Sequence, residues 1–107
     1  MSLDVYLTTT KPVMVFDANI THNMIEMAKA ADLYQCCWRP DEIGITKAEQ
    51  LIEPLSRGIE TLKSDPGRFK QFNPSNGWGD YDDFVRWLEN YLAACKRYPD
   101  ADVDVSR

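Results

Sequence analysis

The first residues of the chain alternate buried-type and polar side chains, and this pattern most constrains the fold. Leu3, Val5 and Leu7 are separated by single, more polar residues, which is the period-two signature of a strand with one buried face. A second apolar run at 13–16 follows a short Thr-Lys-Pro connector, and Pro12 is tolerated at the first residue of a strand. The chain is therefore predicted to begin with a β-hairpin.

Beyond Asp17 the apolar spacing changes from two to three and four residues, which is typical of an amphipathic helix. This stripe predicts a first helix that runs from about Ile20 to Trp38. Asn19 or Thr21 is expected to cap it. Pro40 ends it, because proline disfavours helical backbone at the preceding residue.

Two further helices are predicted from their termini. Thr46 and Glu49 have the spacing of a capping box, and the helix that follows is expected to continue to about Ser64 with a kink at Pro54. Asp80 begins a third helix that ends near Arg97, with acidic residues in its first turn and basic residues in its last. The intervening 68–79 segment is rich in turn-forming residues and is predicted to be an ordered loop.

The last apolar alternation, at 101–105, predicts a third strand that joins the hairpin. The element order is then β-β-α-α-α-β. We therefore predict a single α+β domain over 1–107, with three helices packed on a small, mainly antiparallel three-stranded sheet.

Composition excludes several classes of protein. The 107 residues carry a net charge of −5, which argues against general binding to duplex DNA because phosphates require a basic face. No apolar stretch approaches the roughly 18 residues of a membrane span, so we expect no membrane association and a cytoplasmic location. Cys36, Cys37 and Cys95 have neither disulfide nor zinc spacing and are expected to be buried free thiols.

The best candidate binding residues lie where the hairpin meets the first helix. Asn19, Thr21, His22 and Asn23 offer amide, hydroxyl and imidazole groups beside the N–H groups of a helix start, where a phosphate or carboxylate can bind. The same residue types also serve as simple helix caps. Both interpretations remain open from the sequence.

Two tryptophans extend this candidate site. Trp78 stands between two glycines in the turn-rich segment that contains Asn76, and Trp38 is followed by Arg39. A tryptophan face can stack on a ring, and arginine can bind an anion. If these residues converge with those at the hairpin end, they would bind a small anionic, nucleotide-like ligand. Alternatively, these residues have a purely structural role: the loop is held by a buried tryptophan, and Arg39 forms a local ion pair.

Two other functions are possible. His22 is the one histidine, so a small hydrolase or transferase would use it with Asp17. An interaction inhibitor would instead use the acidic helix face around Asp80, Asp82, Asp83 and Glu89. We predict a non-catalytic binding protein with no cofactor and no metal site, and we leave the oligomeric state open.

Several short motifs resemble a group of small proteins of unknown function that bacteriophages and prophages encode. They are Asn19-Ile20-Thr21-His22-Asn23, Trp38-Arg39-Pro40 and Asn76-Gly77-Trp78-Gly79. The resemblance extends over nearly the whole chain. It implies an accessory role in a bacterial host cytoplasm, such as counteracting host defence through a small ligand or a host protein.

Overall fold

The computed structural model describes residues 1–9 and 13–107, so the predicted Thr-Lys-Pro connector lies outside the described residues. Strands β1 (Ser2–Thr8), β2 (Met14–Thr21) and β3 (Asp102–Ser106) form an antiparallel sheet in the order β2-β1-β3. The last strand pairs with β1 and so joins the hairpin, as predicted. The α+β fold class is confirmed.

The helices all come between β2 and β3 along the chain. They are α1 (Ile25–Ala30), α2 (Tyr34–Trp38), α3 (Glu49–Ser64), α4 (Pro66–Lys70) and α5 (Tyr81–Arg97), with short 3-10 helices at His22–Met24 and Pro40–Ile43. The two long helices, α3 and α5, pack on each other, and α5 also contacts β2.

The alternation in β1 divides the sheet into two faces. Leu3, Val5 and Leu7 are fully buried on the face that the helices cover. The opposite side, here called the outer face, follows from the strand pairing and the period of two. Its residues are Ser2, Asp4, Tyr6 and Thr8 of β1, Asp17, Asn19 and Thr21 of β2, and Asp102, Asp104 and Ser106 of β3.

The prediction of one continuous first helix is wrong. Strand β2 continues to Thr21, and the residues that follow are divided between a 3-10 helix and two short α-helices. The break falls at Asp32, which has a left-handed backbone with φ of 59°. The Leu33 N–H then donates to the Ala28 carbonyl. The apolar spacing of three and four persists across this break, because each short helix still turns its apolar side to the core.

The start of α3 also differs from its prediction. Thr46 and Glu49 do not form a capping box. Instead, the Gln50 side-chain carbonyl accepts from the N–H groups of Thr46 and Lys47, at 2.8 and 2.9 Å. The side-chain amide of Gln50, one residue beyond Glu49, therefore takes the place of the two reciprocal bonds of a capping box. Part of the predicted 68–79 loop belongs to α4, which Asp65 caps by accepting from the Arg68 N–H.

The core is dominated by aromatic side chains. The ring of Trp38 lies within 6.5 Å of the rings of Tyr34, Phe84 and Trp87, measured between centroids. Trp87 and Tyr91 of α5 are buried as well. The three cysteines are buried free thiols, as predicted.

One glycine permits the close approach of the broken helical segment to α3. A Cβ atom at Gly58 would lie 2.2 Å from the Leu33 side chain, well inside van der Waals contact. Leu33 is fully buried and sits directly after the left-handed Asp32. The break in the helix therefore places a leucine against the bare backbone of α3.

Candidate functional site

An open hollow lies where the hairpin end meets the loop before α5. Its volume is about 660 Å³, within the range of small-molecule sites. Three parts of the chain contribute: the start of β1, the end of β2 with the 3-10 helix after it, and the 71–80 loop. The residues that line it are Met1, Ser2, Asn19, Thr21, His22, Asn23, Asn76 and Trp78.

The structure brings together six of the eight residues that the sequence suggested as ligand-binding. They are Asn19, Thr21, His22, Asn23, Asn76 and Trp78. Trp38 and Arg39 do not line the hollow. Trp38 is 1% exposed and belongs to the aromatic core, and the Arg39 guanidinium donates to the Tyr34 hydroxyl and to Glu42.

The 71–80 loop is held in place by asparagine side chains. The side-chain oxygen Oδ1 of Asn76 accepts from the Trp78 backbone N–H at 3.0 Å, which forms a tight local turn. The Asn23 amide donates across to the Trp78 carbonyl at 3.2 Å and approaches the Asn76 side chain at 3.5 Å. These bonds fix the backbone of Trp78, while its side chain remains exposed.

Trp78 presents its indole to solvent. It is 72% exposed, whereas Trp38 and Trp87 are buried. The alternative of a loop held by a buried tryptophan is therefore wrong. Because hydrogen bonds already fix its backbone, the exposed indole offers a flat apolar face and loses little conformational entropy when a ligand binds.

Gly79 lets the loop approach the hairpin end closely. Its φ is +88°, and a Cβ atom there would lie 2.8 Å from the Thr21 methyl group and 3.2 Å from the Met24 side chain. Glycine adopts this conformation without strain and leaves room for both neighbours. The wall of the hollow thus requires glycine at this position.

The floor of the hollow is set by the register of the hairpin. Ser2 pairs with Thr21 and Asp4 with Asn19, so these side chains meet on the outer face. The Asn19 amide donates to the Ser2 hydroxyl at 2.8 Å and to the Asp4 carboxylate at 2.7 Å. Ser2 and Met1 were absent from the sequence-based site, because the register depends on a loop whose conformation the pattern does not reveal.

His22 connects the hollow to the core. Thr21 caps the 3-10 helix by accepting from the Asn23 N–H at 3.3 Å, so the predicted capping role of Thr21 is confirmed. The imidazole lies 6.5 Å from the Trp38 ring, measured between centroids. Its Nε2 atom is buried without a hydrogen-bond partner among the described residues. His22 thus lines the hollow while one of its ring nitrogens is buried.

The hollow is polar without a strong positive charge. No lysine or arginine side chain lines it in the described part of the chain. Apart from Met1 and the Trp78 indole, its side chains carry amides, hydroxyls and one imidazole, which can both donate and accept hydrogen bonds. This chemistry suits the edge of a heterocycle better than an isolated phosphate.

The proposed catalytic pair is not brought together. Asp17 lies on β2 and does not line the hollow. His22 lies five positions further along a nearly extended chain, a distance of about 16 Å. Burial raises the pKa of the Cys37 thiol well above its ordinary value and that of Cys95 to about 12, so these thiols are poor nucleophiles.

The acidic helix face is largely engaged within the protein. Asp80 caps α5 by accepting from the Asp83 N–H at 2.8 Å. Asp83 pairs with Arg86, and Glu89 pairs with Lys63 at 2.7 Å. Three of the four residues named for an inhibitory surface therefore have internal roles.

Comparison with known proteins found no matching protein family, no matching curated protein and no matching solved structure.

Within residues 1–9 and 13–107, no group of three or more His, Cys, Asp or Glu side chains is placed to hold a metal ion. Over the same residues, every helix is too short or too polar to cross a membrane.

Proposed function

We propose that this chain is a non-catalytic binding protein whose hollow takes a nucleotide-like ligand, with the base stacked on Trp78. The observation that carries the proposal is the convergence of an exposed indole with the side chains of Asn19, Asn23 and Asn76 around one hollow. Aromatic stacking is tolerant of the base, and amide groups can hydrogen-bond to its edge.

The ligand's base contributes more to this recognition than its charge. Arg39, which was predicted to bind the anionic group of the ligand, lies outside the hollow and is engaged with Tyr34 and Glu42. The described residues that line the hollow include no guanidinium or ammonium side chain. A phosphate would then remain at the open side of the hollow in contact with water. We therefore expect nucleosides to bind nearly as well as the corresponding nucleotides.

The resemblance to phage-encoded proteins supports an accessory role in a bacterial host. A small protein that sequesters a nucleotide-like molecule needs no catalytic group, and the separation of His22 from Asp17 agrees with that. We propose that the ligand is captured in the host cytoplasm.

The test uses the fluorescence of Trp78, the exposed tryptophan. Purified protein is titrated with nucleobases, nucleosides and mono- and dinucleotides while tryptophan emission is recorded. We expect at least one of these compounds to quench the emission saturably. Trp78→Ala lacks the reporting indole, so its affinity and that of the wild type are compared by isothermal titration calorimetry. We expect this variant to bind about 5- to 150-fold more weakly, the effect of losing one base stack.

A matched control separates the hollow from general effects of removing an aromatic side chain. Phe72 is also exposed and lies in the same loop, but it does not line the hollow. Phe72→Ala should bind as the wild type does. The proposal is refuted if no compound of these classes binds, or if Trp78→Ala and Phe72→Ala bind equally well.

A further inference from the structure

The outer edge of β2 carries backbone donors that have no partner among the described residues. The His22 N–H donates to the Met1 carbonyl at 3.2 Å, and this bond establishes which residues of β2 point toward β1. Because direction alternates along an antiparallel pair, the N–H groups of Asp17, Asn19 and Thr21 point away from β1. No hydrogen bond from these three groups occurs within residues 1–9 and 13–107.

The opposite edge of the sheet is closed. The outward N–H of Val103 donates to the Thr46 carbonyl at 2.9 Å. That of Val105 donates to its neighbour Asp104 at 3.0 Å. Lys47 forms a further bridge and an ion pair with Asp102. Among residues 1–9 and 13–107, therefore, the β3 edge is blocked by other parts of the chain and the β2 edge is not.

Strand β2 lacks most of the features that usually prevent strand addition. Proteins protect an edge with lysine, proline, β-bulges or very short strands. The register of β2 shifts only near its start, between the pairs Phe16–Leu7 and Met14–Thr8, so the pairing is regular from Phe16 to Thr21. Over its eight residues β2 has no lysine and no proline, and its one charged residue is Asp17. Just before and at its start, Val13 and Met14 are 55% and 54% exposed.

The two sides of this edge differ in chemistry. On the outer face, Tyr6 lies between Asp17 and Asp104, and Asp4 is in the next row. No lysine or arginine belongs to this face among the described strand residues. On the helix side, Phe16 and Ala18 are only partly buried, while their partners Leu7 and Val5 are fully buried.

We infer that the free edge of β2 accepts an extended segment of a partner protein in which lysine or arginine alternates with apolar residues. Backbone pairing would satisfy the free N–H groups. Successive side chains of a strand point to opposite faces, so the basic ones would meet Asp17 and the acidic outer face. The apolar ones would cover Phe16 and Ala18. This surface is distinct from the hollow and goes beyond the proposed function.

Charge favours such a partner over a second copy of the chain. Pairing two β2 edges would place two acidic outer faces side by side in a protein of net charge −5. Like charges across neighbouring strands are destabilising, whereas opposite charges stabilise the pair. A basic, alternating segment avoids this repulsion.

The test uses a synthetic peptide of about eight residues, a common strand length, in which lysine alternates with valine. Amide hydrogen exchange of the full chain is followed by NMR with and without the peptide. We expect exchange at Asp17, Asn19 and Thr21 to slow by about fivefold or more, the effect of one backbone hydrogen bond. Phe16 and Ala18 already bond to β1 and should change less.

Two controls distinguish strand addition from general attraction to an acidic protein. A peptide of the same composition with its lysines in one block lacks the alternation and should not protect these amides. Asp17→Lys should weaken binding of the alternating peptide by about threefold or more, while Glu60→Lys, the same charge change on α3, should not. Trp78→Ala should bind the peptide normally, which separates this inference from the proposed function.

The inference is overturned by any of three results. The alternating peptide fails to bind, or it binds without slowing exchange at the three outward amides, or the block peptide protects them equally. A fourth result would overturn it as well: native mass spectrometry shows a dimer, and amide exchange at Asp17, Asn19 and Thr21 is already slow without peptide, since the edge would then be occupied by a second copy.

Discussion

Trp38 and Trp78 show how one residue type serves two purposes in this chain. The Trp38 ring is surrounded by Tyr34, Phe84 and Trp87 and is 1% exposed. The Trp78 ring is 72% exposed, and the described hydrogen bonds at this residue hold its backbone. The first tryptophan supplies packing energy, whereas the second is presented to solvent by a fixed loop.

Periodicity is a better guide to the burial of these two side chains than their polar neighbours are. Trp38 adjoins Arg39 and Pro40, which suggested a surface position, yet it is the last residue of an apolar stripe that begins at Ile20. Trp78 belongs to no stripe. It stands between two glycines in a turn-rich segment, which has no regular helical face to bury.

The largest expected difference between the two regions is in stability. Trp38→Ala should lower the free energy of unfolding by about 3–5 kcal/mol, since it leaves a cavity in the core. Trp78→Ala should lower it by less than about 0.5 kcal/mol, as for most exposed positions. Chemical denaturation of both variants measures this. A comparable loss in Trp78→Ala would mean that the loop tryptophan is structural.

Alkaline pH should act on the core rather than on the loop. Burial raises the pKa of Cys37 and Tyr91 well above their ordinary values and that of Cys95 to about 12. The folded state thus favours the neutral forms. Their contribution to stability is complete below about pH 9, where an unfolded thiol ionises, and is lost as pH rises toward 12.

Denaturant unfolding at pH 7 and at about pH 10.5 checks this effect. Stability should fall, and Cys95→Ala should make the decline shallower because one buried titrating group is gone. A stability that is constant across this range would contradict the burial of the thiols.

Alanine variants at Gly79 and Gly77 distinguish the cost of backbone strain from the cost of steric contact in the loop. Both have positive φ, but a Cβ atom at Gly77 meets no other atom within 4 Å, whereas one at Gly79 meets Thr21 and Met24. Each alanine variant should cost about 1–3 kcal/mol for its strained backbone, and Gly79→Ala should cost more. Equal losses of unfolding free energy would show that the loop does not press on the hairpin end.

The smallest expected effect is at Asn23, which ties Trp78 to the hairpin end. Asn23→Ala should cost about 1 kcal/mol, the net value of one hydrogen bond, and should speed amide exchange in the 71–80 loop. Asn90→Ala, on the exposed side of α5, is the matched control. If both variants leave loop exchange unchanged, the Asn23 amide does not hold Trp78 in place.

The sequence predicted the elements with regular periods and missed those that depend on single residues. Alternation at Leu3–Leu7 and the apolar spacing of α3 and α5 correspond to observed strands and helices. The break at Asp32 was missed because a left-handed aspartate leaves no mark on the apolar stripe around it. The cap of α3 was missed because Gln50 replaces Glu49 as the side chain that folds back.

The candidate site was predicted in composition but not in geometry. Residues at the hairpin end are close in sequence, so their proximity followed from local pattern alone. Their meeting with Asn76 and Trp78 depends on Gly79 and on the Asn23 amide, which are tertiary contacts. The free edge of β2 could not be found from sequence, because it follows from the strand order and from the segment that covers β3.

Chemical-shift mapping by NMR tests the central claim most directly. The ligand that most quenches Trp78 emission is added to uniformly labelled protein, and perturbed backbone and side-chain amides are located. We predict that the largest shifts cluster at the amides of Asn19, Asn23 and Asn76 and at the Trp78 indole N–H. Shifts that instead center on the opposite side of the molecule, or that leave Trp78 unperturbed at saturation, would contradict the account.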